Sequence, residues 1–166
     1  MAENLIWSVN ESYPEQKIIV WAHSLHVARS VPSVASVNPP RKRYMDFIGM
    51  GDYVHHEVGK SAYSVAFVTY QGTRGRRENH PPGRVESVTG SLQSLWHHTG
   101  YFLSFLDLRS VPGGHWLYGP LQAYVSGSPN QRAIWPNVFD GFFYIDTMFP
   151  YKPLEKIPEG IHTKEQ

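Results

Sequence analysis

Apolar positions fall into two kinds of pattern along this chain, and the two alternate. Residues 2–12 place Ala2, Leu5, Ile6 and Val9 on one helical face, and Pro14 ends that run. KIIVWA, residues 17–22, is apolar without alternation, the pattern of a strand covered on both faces. Residues 28–44, rich in Ser and Pro, read as a long loop. MDFIGMGDYVHHEVG, 45–59, puts Phe47, Met50, Val54 and Val58 on one helical stripe, with Gly59 as its C-cap. AYSVAFVTY, 62–70, is a second strand, followed by a polar Gly/Pro loop over 71–87. TGSLQSLWHHTG predicts a short helix with Leu92, Leu95 and Trp96 inward, capped by Thr89 or Ser91 and ended by Gly100. YFLSFLDL, 101–108, and FDGFFYID, 139–146, are the third and fourth strands, and the charged tail from Tyr151 is expected to be loosely held.

Strands alternating with helices predict parallel pairing in a layered α/β architecture. Ligands of such sheets bind outside the carboxyl ends of the strands. The residues leaving those ends are His23 and His26, Tyr70 and Gln71, Asp107 and Arg109, and Asp146. Parallel pairing would gather them on one rim.

Composition narrows the classes. One domain is expected over residues 1–150, with 151–166 as tail, because 166 residues suffice for a single core. A formal charge of +1 gives no reason to expect nucleic acid or a membrane surface as partner. Nor does any apolar run approach the length of a membrane span, and the N-terminus lacks a secretory pattern, so the cytoplasm is the expected compartment. The absence of cysteine excludes disulfides, thiolate metal sites and a cysteine nucleophile.

The candidate chemistry lies with His23 and His26, three positions apart and on one face if the chain turns helical after Ala22. An imidazole there can act as a general base near neutral pH, or it can simply fasten the loop to backbone carbonyls. The helical zinc motif needs His at i and i+4 with Glu between, which this spacing lacks, so no metal and no cofactor is expected. The adjacent pairs His55–His56 and His97–His98 diverge by about 100° on a helix, so each should have one half-buried and one exposed ring. His80 and His115 sit in Gly/Pro loops and can rim a pocket or face solvent. Asp107 and Asp146 end apolar strands, as loop anchors or as site residues, and Arg109 can bind a carboxylate or pair with Asp107. The clusters RKR at 41–43 and RGRR at 74–77 read as solvated loops. There is no G-x-S-x-G elbow, Walker loop or G-x-G-x-x-G.

The ordered segments MAENLIW, KIIVWAHSLHV, GMGDYV, YSVAFVTYQG, GSLQSLWHHTG, FLDLR and FDGFFYID resemble the erythromycin esterase family, over roughly residues 1–150. The most specific element is the histidine pair, which the family usually writes A-H-N-x-H; Ser24 stands here at the asparagine position. The resemblance implies an α/β/α three-layer fold around a mainly parallel sheet. It also implies hydrolysis of a carboxylic ester or macrolactone by activated water, without a covalent intermediate or obligatory metal. On that basis His23 matches the general base and His26 its active-site partner, with Ser24, Asp107, Arg109 and Asp146 as rim residues. Family members are more than twice this length, so the chain resembles the C-terminal part of their fold. Strands cut from a larger sheet leave an apolar edge, so self-association or a separate chain supplying the N-terminal half is expected. The rival expectation is a non-catalytic binding or interaction module of the same fold.

Overall fold

The computed structural model describes residues 1–150 apart from 39, 42, 44, 76–82 and 126–130. The 151–166 tail, His80, and much of the RKR and RGRR clusters therefore lie outside the described residues.

The chain opens with α1 (Ala2–Trp7), which runs into a π-helical turn over Ser8–Ser12. A single turn, α2 (Ser24–Val27), follows after an irregular stretch. Two short strands, β1 (Ala35–Val37) and β2 (Pro40–Arg41), lead into α3 (Met50–Val58). Then come β3 (Val65–Arg74), β4 (Gly83–Glu86), α4 (Leu92–His97) and β5 (Leu103–Asp107). The last strands are β6 (Leu121–Ala123), β7 (Gln131–Ala133) and β8 (Gly141–Met148).

The strands form two sheets, ordered β2-β1-β7-β6 and β4-β3-β8-β5. Among the described residues one pairing is parallel, β3 with β8, in register Val65 opposite Gly141 and Gln71 opposite Thr147. β4 pairs antiparallel to β3, and β5 antiparallel to β8. The fold is thus mixed α/β with a mixed main sheet, which corrects the mainly parallel sheet expected from the sequence. The physical reason is the β3–β4 hairpin, hidden in the polar stretch 71–87. It reverses the chain once more than the apolar pattern indicated, so β5 arrives antiparallel. The small second sheet was equally hidden, because its strands have two or three residues each, too short for a period-2 pattern.

Alternation along the main sheet separates two faces. Ala66 and Val68 of β3 and Phe142 and Tyr144 of β8 point into the core, with Trp135, Val138, Phe139 and Leu108 packed over them. The opposite face presents Phe67, Phe105 and Phe143, 43–47% exposed, with Phe143 stacked on Phe67 and tilted against Phe105, and with Leu103 71% exposed. KIIVWA forms no ladder: all of Lys17–Ala22 is exposed, and Trp21 rests by its ring alone on Phe67 at 5.6 Å. The expected strand covered on both faces is therefore corrected. The run is apolar enough for such burial, but the described residues offer no neighbour to pair it.

Helix ends follow local chemistry. α3 begins later than its apolar stripe suggested, at Met50, because the Asp52 carboxylate accepts the Gly49 N–H (3.3 Å) and the Ser30 N–H (2.6 Å). Phe47 stays outside the helix, 37% exposed. Gly59 closes α3 at φ 55°, as expected. Ser91 caps α4 by accepting the Ser94 N–H, while Leu95, expected inward, is 44% exposed. Gly51 is buried because α3 crosses α2 there: a Cβ would meet the carbonyl oxygens of Val27 and Ala28 at 2.4 Å.

Candidate functional site

His23 is the N-cap of α2, with extended backbone, and its Nδ1 accepts the Leu25 N–H at 3.3 Å. His26 follows within the turn, and the two rings stand edge-on, centroids 6.2 Å apart. Both are exposed; Ser24 between them is half-buried. The helical turn after Ala22 thus brings the pair together as its spacing suggested. An Nδ1 that accepts a hydrogen bond carries no proton, so neutral His23 in this arrangement holds its proton on Nε2. α2 packs against α3 and β3, which fixes the pair relative to the main sheet.

The remaining rim residues do not share one end. Because β5 runs antiparallel to β8, Asp107 lies opposite Gly141, at the start of β8, and Asp146 lies near its finish. Five residues of strand, about 16 Å, separate the two. The single rim expected from parallel pairing is corrected for this reason.

At the first end the centre is Asp140, a residue that sequence reasoning passed over. It is 2% exposed. Its Oδ1 accepts Arg29 Nη2 at 2.9 Å and Arg109 Nε at 2.8 Å. Its Oδ2 accepts the Ser64 N–H at 2.8 Å and the Ser64 hydroxyl at 3.2 Å, with His55 Nε2 at 3.5 Å. Burial would raise the Asp140 pKa, but the bonds from Arg109 and Ser64 and the charge of Arg29 outweigh it and hold the carboxyl below its ordinary value. His55 is pushed down from 6.5, first by burial and then by Arg29, against the pull of Asp140. Arg109 also donates to the carbonyls of Lys60 and Ala62 and stacks over the Tyr63 ring at 4.6 Å. Asp107 accepts the Tyr63 hydroxyl at 2.6 Å and the Arg109 N–H at 3.0 Å. Of the open alternatives for Asp107 the loop anchor is the one seen, and Arg109 pairs with Asp140. A cavity of about 480 Å³ opens beside this network, lined in part by Arg29, His55, Lys60, Tyr118 and Phe139.

At the second end, alternation along β8 puts Asp146 on the same inner face as Phe142 and Tyr144, 7% exposed. Its Oδ1 meets His97 Nδ1 at 2.6 Å and accepts the Tyr144 hydroxyl at 2.6 Å. Thr147 donates to Oδ2 at 3.2 Å, and Gln71 donates to Thr147 in turn. Burial raises the Asp146 pKa, but the bonds from His97, Tyr144 and Thr147 prevail and hold it below the ordinary value. The Tyr144 phenol is pushed up, first by burial and then by its bond to Asp146. Tyr70 stacks flat on the His97 ring, centroids 3.9 Å apart and planes within 7°. His98, in contrast, bonds the Ser94 carbonyl at 2.5 Å, so only one ring of that pair faces Asp146. Spacing alone could not single out His97, since its partner lies 49 residues on, across the fold.

Among the described residues no group of three or more His, Cys, Asp or Glu side chains is placed to hold a metal ion. No helix among them is long and apolar enough to cross a membrane.

Comparison with known proteins gives consistent relatives. A family model described as erythromycin esterase matches residues 1–148. A Bacillus subtilis (strain 168) protein named "Putative hydrolase YbfO" is 26% identical over 160 residues, which is 90% of this chain and 34% of that protein. A Bacillus cereus protein of known structure shares the fold at TM-score 0.61 and 19% identity, over 89% of this chain and 37% of its own. The structure of a succinoglycan biosynthesis protein aligns at TM-score 0.65 and 15% identity, with the same coverage of 89% and 37%. The chain spans about a third of the length of the curated relative it matches.

Proposed function

The chain belongs to the erythromycin esterase family, and from that premise we propose that it is a water-dependent hydrolase of a carboxylic ester or macrolactone. The observation that carries the reading is the His23–His26 pair. Two exposed imidazoles face each other edge-on from one turn, at the sequence motif on which the family resemblance is most specific. His23 acts as general base toward water and His26 assists from the same face. For Nε2 of His23 to accept a proton, its ring must carry hydrogen on Nδ1, so the bond from Leu25 N–H opens during the reaction. That bond is long and exposed, and its loss costs about 1 kcal/mol, small against the 10²–10⁴-fold that a positioned base contributes. The test is hydrolysis of a simple activated ester and of a macrolide by purified protein. Turnover above background that His23→Ala abolishes supports the reading; a well-folded protein without turnover contradicts it for the isolated chain.

The apolar surface supports a partner proposal. Trp21, 85% exposed, lies against Phe67, whose ring continues through Phe143 to Phe105, an exposed apolar patch of the kind that marks association rather than solvent contact, and Ile19 of the same segment is 91% exposed. We propose that a separate chain carrying the remainder of the fold seats on this face and pairs residues 17–22, as expected where relatives are almost three times as long as the matched part. Light scattering on the purified chain tests it. Recovery of a well-behaved monomer contradicts the proposal, and a stable homodimer assigns the face to a second copy instead.

A further inference from the structure

We propose that His97 is a proton-transfer residue, armed as a base by Asp146, at the carboxyl ends of β3 and β8. The substrate class rests on the hydrolase reading above; the base itself does not.

The geometry fixes the tautomer. Asp146 already accepts the Tyr144 hydroxyl on Oδ1, and its remaining bonds keep it ionised, so the 2.6 Å contact to His97 Nδ1 requires hydrogen on that nitrogen. The neutral ring then carries its lone pair on Nε2, which has no hydrogen-bond partner among the described residues. This is the reverse of His23, whose Nδ1 accepts and whose Nε2 holds the proton. Ring rotation is checked as well, because Tyr70 stacks flat against one face of the imidazole. The side chain is 40% exposed while that of Asp146 is 10% exposed, so the anchor is sheltered and the acceptor open. The groups facing the ring are Asp146 from β8, Tyr70 from β3 and His98 from its own segment, edge-on at 6.0 Å, with Tyr144 reaching it only through Asp146. Asp146 supplies the one charge that an imidazolium at this position would need.

The step balances without a further reactant. His23 takes the proton of the attacking water and passes it to the departing alkoxide, while His97 Nε2 takes the proton of the hydroxyl left on the tetrahedral carbon and Asp146 stays ionised beside the imidazolium. Ester and water give carboxylate, alcohol and the proton held on His97. Asp146 and Tyr70 are positioning residues in this scheme.

A structural ion pair tying α4 to β8 would show the same distances, so the test must separate the two roles. Histidine-by-histidine carbethoxylation with diethyl pyrocarbonate, read by mass spectrometry, reports whether Nε2 is an open nucleophile. Labelled at pH 8, His97 is expected to react faster than His98, and Asp146→Asn to slow it about tenfold by removing the carboxylate that steadies the positive charge building on the ring as Nε2 attacks. In parallel, His97→Asn keeps a donor where Nδ1 stands but removes the basic nitrogen. It is expected to retain the folded circular dichroism spectrum and to lower kcat on p-nitrophenyl acetate about 100-fold, with KM little changed. Slow labelling of His97 that ignores Asp146→Asn overturns the proposal. So does full kcat in His97→Asn when His23→Ala is inactive, a result that leaves the hydrolase reading standing. Fast, Asp146-dependent labelling in a protein without ester turnover does the opposite: the base stands and the hydrolase reading falls.

Discussion

Asp140 and Asp146 stand six positions apart at the two ends of one stretch of chain, both buried, and their surroundings use them in opposite ways. Asp140 is saturated: two arginines, a backbone N–H and a hydroxyl share its oxygens, and His55 completes the set. Asp146 spends its strongest bonds on one histidine and one tyrosine, and the histidine keeps a nitrogen with no hydrogen-bond partner among the described residues. A carboxylate whose partners all close on it braces a fold. One whose partner opens toward solvent can pass its charge on to chemistry.

The contrast breaks most visibly at Asp140. Asp140→Ala leaves Arg29 and Arg109 without their counter-ion, and the expected loss is about 3–5 kcal/mol, read as a fall in urea midpoint at constant slope. Asp146→Asn removes a charge but keeps an acceptor, so about 1–2 kcal/mol is expected. A larger loss at Asp146 than at Asp140 would invert the assignment. Gly51→Ala attacks the support shared by Arg29 and the His23–His26 turn. A Cβ forced against the Val27 and Ala28 carbonyls should cost about 1–3 kcal/mol, and ester turnover should fall with it.

Acid titration sharpens the comparison further. His55 is favoured neutral in the folded state, so as pH falls through 6.5 the unfolded chain takes up its proton first and stability drops. Asp140 and Asp146 are held below 3.8, so their stabilisation is complete above that value and is lost as pH falls through their lowered folded values. Two steps of loss are expected, and His55→Asn should remove the upper one alone. The smallest effect belongs to Tyr70→Leu, which loosens the stack on His97 at about 1 kcal/mol while leaving the Asp140 network untouched.

Long apolar runs made much of the main sheet legible in the sequence. The cores of β3, β5 and β8 fall inside AYSVAFVTY, YFLSFLDL and FDGFFYID, and Gly59 and Ser91 mark helix ends as their chemistry dictates. Strand direction was not legible, since the reversal lies in β4, whose residues Gly83–Glu86 carry almost no apolar signal. KIIVWA shows the converse: its pattern records a demand for burial that the described residues leave unmet. The site divided in the same way. His23 and His26 were visible because their relation is local. Asp140 and His97 were not, because each gains its role from partners 31 to 111 residues away, such as Arg109 and Arg29 for the first and Asp146 for the second.

The most direct test of the contrast between the two aspartates is the nitrogen-15 chemical shift of the His97 ring, measured above its titration midpoint. A protonated Nδ1 and a bare Nε2 are expected, with that tautomer preference lost in Asp146→Asn and kept in Asp140→Asn. A bare Nδ1, or a preference indifferent to Asp146→Asn, would contradict that contrast.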